Sequence, residues 1–98
     1  MISDQGVKTR AKAYFVVRND RGLHTRPSTE LVKCASGFRA RIYLHVNGMT
    51  VNAKSLLGVL TLAATRGTRV RMEAEGEDAE DAVQNLVSLA ERNFNMAY

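Results

Sequence analysis

The sequence predicts an α+β fold, an open-faced sandwich in which helices cover one side of a sheet and water meets the other. Three observations lead there. Four segments alternate apolar and polar residues with a period of two, the pattern of strands with one buried and one wet face. Two helical stretches stand among these segments and a third follows the last, giving the order β-α-β-β-α-β-α. A length of 98 residues with 45% hydrophobic content suits one core, and is too little for a catalytic domain joined to a separate substrate domain.

The first strand is read from Ala13, Phe15 and Val17 alternating with Tyr14, Val16 and Arg18, and it stops at the turn formers Asn19, Asp20 and Gly22. From Thr25 the period changes. Pro27 suits the first turn of a helix, Glu30 its positive end, Leu31, Val32 and Ala35 share a face, and Gly37 can cap it. Ala40, Ile42, Leu44 and Val46 then alternate with Arg39, Arg41, Tyr43 and His45, and Asn47-Gly48 predicts a tight hairpin into a strand carrying Met49, Val51 and Ala53. Ser55 can N-cap a short helix through Leu56, Leu57, Val59, Leu60 and Leu62, which Gly58 weakens. Past Gly67, Val70, Met72 and Ala74 alternate with Arg69, Arg71 and Glu73 in a fourth strand that ends at Gly76. The last helix opens on Glu77, Asp78, Glu80 and Asp81, whose charges suit its dipole, and lines one face with Ala79, Val83, Leu86 and Ala90. Residues 1–11 show no period and read as a flexible basic tail, which leaves 12–98 as the single domain.

Composition excludes several classes. Cys34 is the only cysteine, so no intramolecular disulfide and no cysteine-based zinc site can form; its expected place is the edge of a helix. Met1 to Lys12 has no apolar h-region and no later stretch approaches the roughly 20 apolar residues of a membrane helix, so a cytoplasmic protein without membrane insertion is expected. The net charge of +4 favours acidic partners without choosing among protein, phosphate and nucleic acid.

Chemistry concentrates at Gly22-Leu23-His24-Thr25-Arg26-Pro27, which puts an imidazole on the last loop residue before a helix. Helix-start amides have no intrahelical partner and the macrodipole is positive there, so an anion on or beside His24 is held without a dedicated cage. Arg26 adds a permanent charge and a planar fork of donors that matches phosphate oxygens. A neutral ring nitrogen can attack phosphorus. From position alone His24 could equally be a mere N-cap and Arg26 a solvated charge.

The stretch Asn19 to Ser28, NDRGLHTRPS, closely resembles the active-site signature of the HPr family, the histidine phosphocarriers of the bacterial phosphoenolpyruvate-dependent sugar phosphotransferase system. Asn52 to Val59, NAKSLLGV, looks like the family's second signature, and the resemblance covers about residues 12 to 94. It implies a four-stranded antiparallel sheet with three helices on one side. It also implies that His24 takes a phosphoryl group on Nδ1 from phosphorylated enzyme I and passes it to enzyme IIA domains, with Arg26 and Thr25 steadying the group. On the same resemblance Ser55 matches a regulatory serine modified by HPr kinase/phosphorylase, although capping alone would also account for it, and Leu56 and Leu57 fall in a partner-docking patch. The implied protein is a monomeric stoichiometric carrier, not an enzyme, and needs no cofactor. Two departures stand inside the motif: Arg21 where the family has a small polar residue, and Ser28 where alanine is usual.

Three other readings compete. An NPr-type component of a nitrogen-related phosphorelay would use the same histidine chemistry. A nucleic-acid platform could use Arg39, Arg41, Tyr43, His45, Arg69 and Arg71, but only Tyr43 is placed outward on the central strands for stacking, so no nucleic-acid role is expected. A metal module would need at least three ligands, whereas His24 and His45 lie on different elements, so no metal is expected.

Overall fold

Two periods, one of two residues and one near 3.6, sort the chain into a sheet and the helices that cover it. The computed structural model describes residues 9–97. Its elements are β1 (Arg10–Val16), α1 (Thr25–Ser36), β2 (Arg41–Val46), β3 (Met49–Asn52), α2 (Leu56–Thr61), β4 (Arg69–Glu75) and α3 (Ala79–Glu91). The strands lie in the order β1-β4-β2-β3 and every neighbouring pair is antiparallel. The four-stranded sheet with three helices expected from the sequence is the architecture observed.

Register follows burial. Phe15 faces Val70 across β1 and β4, Leu44 faces Met72 across β2 and β4, and all four side chains are buried. A slip of one residue would turn each of them to water. Onto this face α1 packs Leu31 and Ala35, α2 packs Val59, and α3 packs Ala79, Ala82, Val83, Leu86, Leu89 and Ala90. Burying a leucine-sized side chain contributes about 2 kcal/mol, so the stripe of Val83, Leu86 and Leu89 on α3 supplies much of what fixes that helix to the sheet. Met49 is an exception: it occupies a core-facing register position opposite Val46 but lies at the hairpin end and is exposed.

The open face carries charges of both signs across β1, β2 and β4, and neighbouring strands pair them. Arg10 pairs with Glu75 at 3.0 Å, and Glu73 receives Lys12 at 3.8 Å, Arg71 at 3.9 Å and His45 Nε2 at 3.1 Å. Arg69 lies over the Tyr14 ring at 4.0 Å. Arg39, expected to share this face, stands before β2 in the connection from α1.

Three local expectations are corrected. Arg10 and Ala11 belong to β1, paired with Glu75 and Ala74, and the Thr9 carbonyl accepts the Gly76 amide at 2.8 Å, so the fold takes in residues before the expected boundary at residue 12; residues 1–8 of the expected tail lie outside the described residues. Glu30 stands in the second turn of α1, where it pairs with Lys33 at 3.5 Å instead of meeting the helix start. Asp78 precedes α3 but turns its carboxylate away from that helix, accepting the amides of Arg39 at 2.9 Å and Ala40 at 2.8 Å. These two bonds tie the α1–β2 connection to the start of α3. Gly76 makes the approach possible, because a Cβ there would stand 2.8 Å from Ala40 Cα.

Candidate functional site

Residues 19–24 leave β1, turn, and deliver His24 to the start of α1. The turn closes with the Gly22 amide donating to the Asn19 carbonyl at 2.9 Å and the His24 amide donating to the Gly22 carbonyl at 2.9 Å. Gly22 has φ +71°, and a side chain there would strike the Ala64 carbonyl. The glycine lets the loop lie against the Ala64–Thr65 backbone, where Leu23 N–H bonds the Ala64 carbonyl at 2.8 Å. Ser28, fully buried, donates its hydroxyl to the Leu23 carbonyl at 2.9 Å. The departure from alanine at this position therefore fastens the peptide directly before His24.

His24 occupies the N-cap position of α1 with extended backbone, and its side chain makes no capping bond. Its carbonyl takes the first helical bond, from Ser28 N–H at 3.0 Å. The helix starts at Thr25, so Pro27 is its third residue, still within the first turn where a missing N–H costs nothing. The amides of Thr25 and Arg26 are thus the ones this end offers outside the helical ladder. His24 is partly exposed as a residue while its Nε2 atom is shielded from solvent.

Arg26 and His24 line, together with Asp20 and Arg21, an open hollow of about 430 Å³. Thr25 is not part of its lining; its carbonyl accepts the Thr29 hydroxyl at 2.8 Å. Among the described residues Asp20 is the one acid that lines the hollow, and Arg66 pairs with it at 3.2 Å. Sequence reasoning had treated Asp20 only as a turn former and had not singled out Arg66, because the pair joins residues 46 apart in the chain. The hollow therefore presents two guanidinium groups, an imidazole and a helix start, an arrangement that can attract and orient a dianion.

The second group of expected residues lies on α2, which packs against α1. Ser55 caps α2 as expected, its Oγ accepting the Gly58 amide at 3.0 Å. Leu57 is 73% exposed and Leu56 36%, while Val59 and Leu62 are buried and Leu60 is half-buried, so the apolar run divides into a surface pair and a core set. Neither Ser55 nor the two leucines line the hollow around His24.

The remaining reactive groups are engaged elsewhere. His45 bonds Thr50 Oγ1 through Nδ1 at 2.8 Å and Glu73 through Nε2 on the open face. Among the described residues no group of three or more histidine, cysteine, aspartate or glutamate side chains could hold a metal ion. Cys34, half-buried on α1, has its thiol pushed up by burial, with Arg92 opposing weakly. No helix among the described residues is long and apolar enough to cross a membrane.

The family description "PTS HPr component phosphorylation site" matches residues 11–92. The chain belongs to the HPr family. Its relatives include the phosphocarrier protein HPr of Xylella fastidiosa strain 9a5c, 44% identical over 81 residues that make up 83% of this chain and 91% of the relative. A multiphosphoryl transfer protein of Haemophilus influenzae is 38% identical over 88 residues, covering 87% of this chain but only 18% of that longer protein. Among solved structures, HPr-C-His from Thermoanaerobacter tengcongensis superposes with a TM-score of 0.85 at 35% identity, over 90% of this chain and 99% of that one. HPr proteins are phosphocarriers of the phosphotransferase system.

Proposed function

We propose that this HPr-family chain carries its phosphoryl group on His24, receiving it from phosphorylated enzyme I and giving it to enzyme IIA domains. The observation that carries this reading is the position of the imidazole: it stands at the N-cap of α1 without capping the helix and borders a hollow lined by Arg21 and Arg26. A side chain spent on capping could not also act as a nucleophile.

In the forward step a ring nitrogen of neutral His24 attacks phosphorus, and the bond from phosphorus to the donor's nitrogen breaks. The donor nitrogen keeps that electron pair. The second step repeats this with His24 as the leaving group, so no water and no net proton are consumed. Shielding of Nε2 supports Nδ1 as the attacking atom. The Thr25 and Arg26 amides and the Arg26 guanidinium meet the charge that the transferred group brings, which costs little reorganisation because the helix start already holds these donors in place. The hollow is open and shallow, which suits a group that must be passed on; an enclosing cage would hold it too tightly. Catalysis of both transfers then falls to the partners, with Leu56 and Leu57 as apolar docking points beside them.

Ser55 is the proposed regulatory site. A phosphate on its oxygen would displace the hydroxyl from its bond to Gly58 and place a dianion next to Leu56 and Leu57, repelling an acidic partner surface.

Incubation with enzyme I and phosphoenolpyruvate, followed by intact-mass analysis of the unmutated chain and of His24→Ala, tests the central step. The reading predicts an acid-labile gain of one phosphate that is lost in His24→Ala. A gain that survives the substitution would move the site elsewhere.

A further inference from the structure

After α3 the chain does something that an L-polypeptide ordinarily avoids. Asn93, Phe94 and Asn95 have φ of +57°, +55° and +62°, three left-handed residues in succession and none of them glycine. Asparagine tolerates that region, but a bulky aromatic residue does not enter it unless its surroundings compel it. Phe94 is 1% exposed and stacks edge-on against Phe15, with centroids 5.8 Å apart and planes at 73°. Core burial thus holds the turn in place.

The turn delivers a carbonyl. Asn93 O accepts the Met96 amide at 3.0 Å and, from the opposite end of the sequence, the side-chain amide of Asn19 at 3.2 Å. Asn19 is fully buried and opens the loop that ends in His24. Its own carbonyl accepts the Gly22 amide, and the Gly22 carbonyl accepts the His24 amide, so two bonds lead from Asn19 to the histidine. At its far end the loop is held by the Ala64 carbonyl and the Ser28 hydroxyl. At its near end the Asn19 side chain links it to the C-terminal turn. Strained backbone next to a functional loop is maintained only where the structure over-determines it, and here it presents an acceptor to that loop.

We propose that Asn19 is a positioning residue for His24, and that the buried left-handed turn at residues 93–95 is the support against which it fixes the phosphorylation loop. The proposal rests on His24 being the carried site. The acceptor is a backbone atom, and this gives the idea a sharp test. Asn93→Gly keeps the left-handed conformation and the carbonyl, whereas Asn19→Ala removes the donor. Should Asn19→Ala fail to fold in a thermal melt, Asn19→Ser takes its place, since it keeps a hydroxyl that is too short to span the gap.

Two readouts are measured on folded protein. Single-turnover and steady-state transfer from phosphorylated enzyme I should show kcat lowered about tenfold in Asn19→Ala with KM unchanged, since a small misplacement of a reacting group costs rate rather than docking. The ¹⁵N shifts of the His24 ring at fixed pH should move in Asn19→Ala and stay in place in Asn93→Gly. A folded Asn19→Ala with unmoved ring shifts and an unchanged kcat would overturn the proposal, as would an Asn93→Gly chain as impaired as Asn19→Ala. The ring shifts need no phosphoryl donor, so they judge positioning by themselves; failure of the unmutated chain to take up phosphate would overturn the carrier reading instead.

Discussion

At the residue scale, a few contacts decide where the imidazole of His24 stands. The Leu23 amide, the Leu23 carbonyl and the Asn19 side chain are each bonded to a different part of the molecule: Ala64, Ser28 and Asn93. Ser28 is the most easily tested. Removing its hydroxyl leaves the Leu23 carbonyl buried without that donor, and a lost hydrogen bond of this kind costs about 1 kcal/mol. Ser28→Ala should therefore lower the urea-unfolding free energy by about that amount with an unchanged denaturant slope. An increase in stability would mean that the hydroxyl is tolerated at this position and does not support the loop.

At the element scale, the helix starts set both stability and its response to pH. α2 has only six residues, and Ser55 supplies its one side-chain cap. Ser55→Ala should cost about 1 kcal/mol in chemical denaturation, the usual loss for such a cap. If it costs nothing, the serine's presence must be explained by modification alone. Asp78 acts across elements: the Arg39 amide, and with it that of Ala40, holds its carboxyl below the usual carboxylate range against the opposing effect of desolvation. A carboxyl whose folded pKa is depressed contributes stability above its unfolded pKa and loses that contribution as pH falls through the folded one. Thermal melts from neutral to acid pH should therefore show a falling Tm over that range, and Asp78→Asn should start lower and fall less steeply. Parallel curves for the two proteins would remove Asp78 from the account.

At the scale of the whole molecule, the sheet and helices were legible because each is written in local periodicity. The alternation of Ile42, Leu44 and Val46 with Arg41, Tyr43 and His45, and the Asn47-Gly48 turn, specify β2 and its hairpin without reference to anything distant. The start of β1 was not legible, because Arg10 and Ala11 become strand only through pairing with Glu75 and Ala74 at the far end of the chain. The turn at residues 93–95 was invisible for the same reason, since it exists by virtue of Phe94 packing on Phe15. The site divides along the same line. His24, Thr25 and Arg26 were singled out by the motif NDRGLHTRPS, which lies within ten successive residues, whereas Asp20 with Arg66 and Asn19 with Asn93 join residues 46 and 74 apart. Local sequence points to the proposed phosphoryl acceptor, and long-range contacts fasten the loop that carries it.

The chain has two histidines, one in the hollow at the start of α1 and one bonded into the open face of the sheet. A ¹⁵N spectrum of the protein after reaction with enzyme I and phosphoenolpyruvate can therefore be read ring by ring, and phosphorus bonded to a ring nitrogen marks its atom by coupling. Phosphorus should appear on Nδ1 of His24, with His45 unchanged. Phosphorus on His45, or on Nε2 of His24, would contradict this assignment.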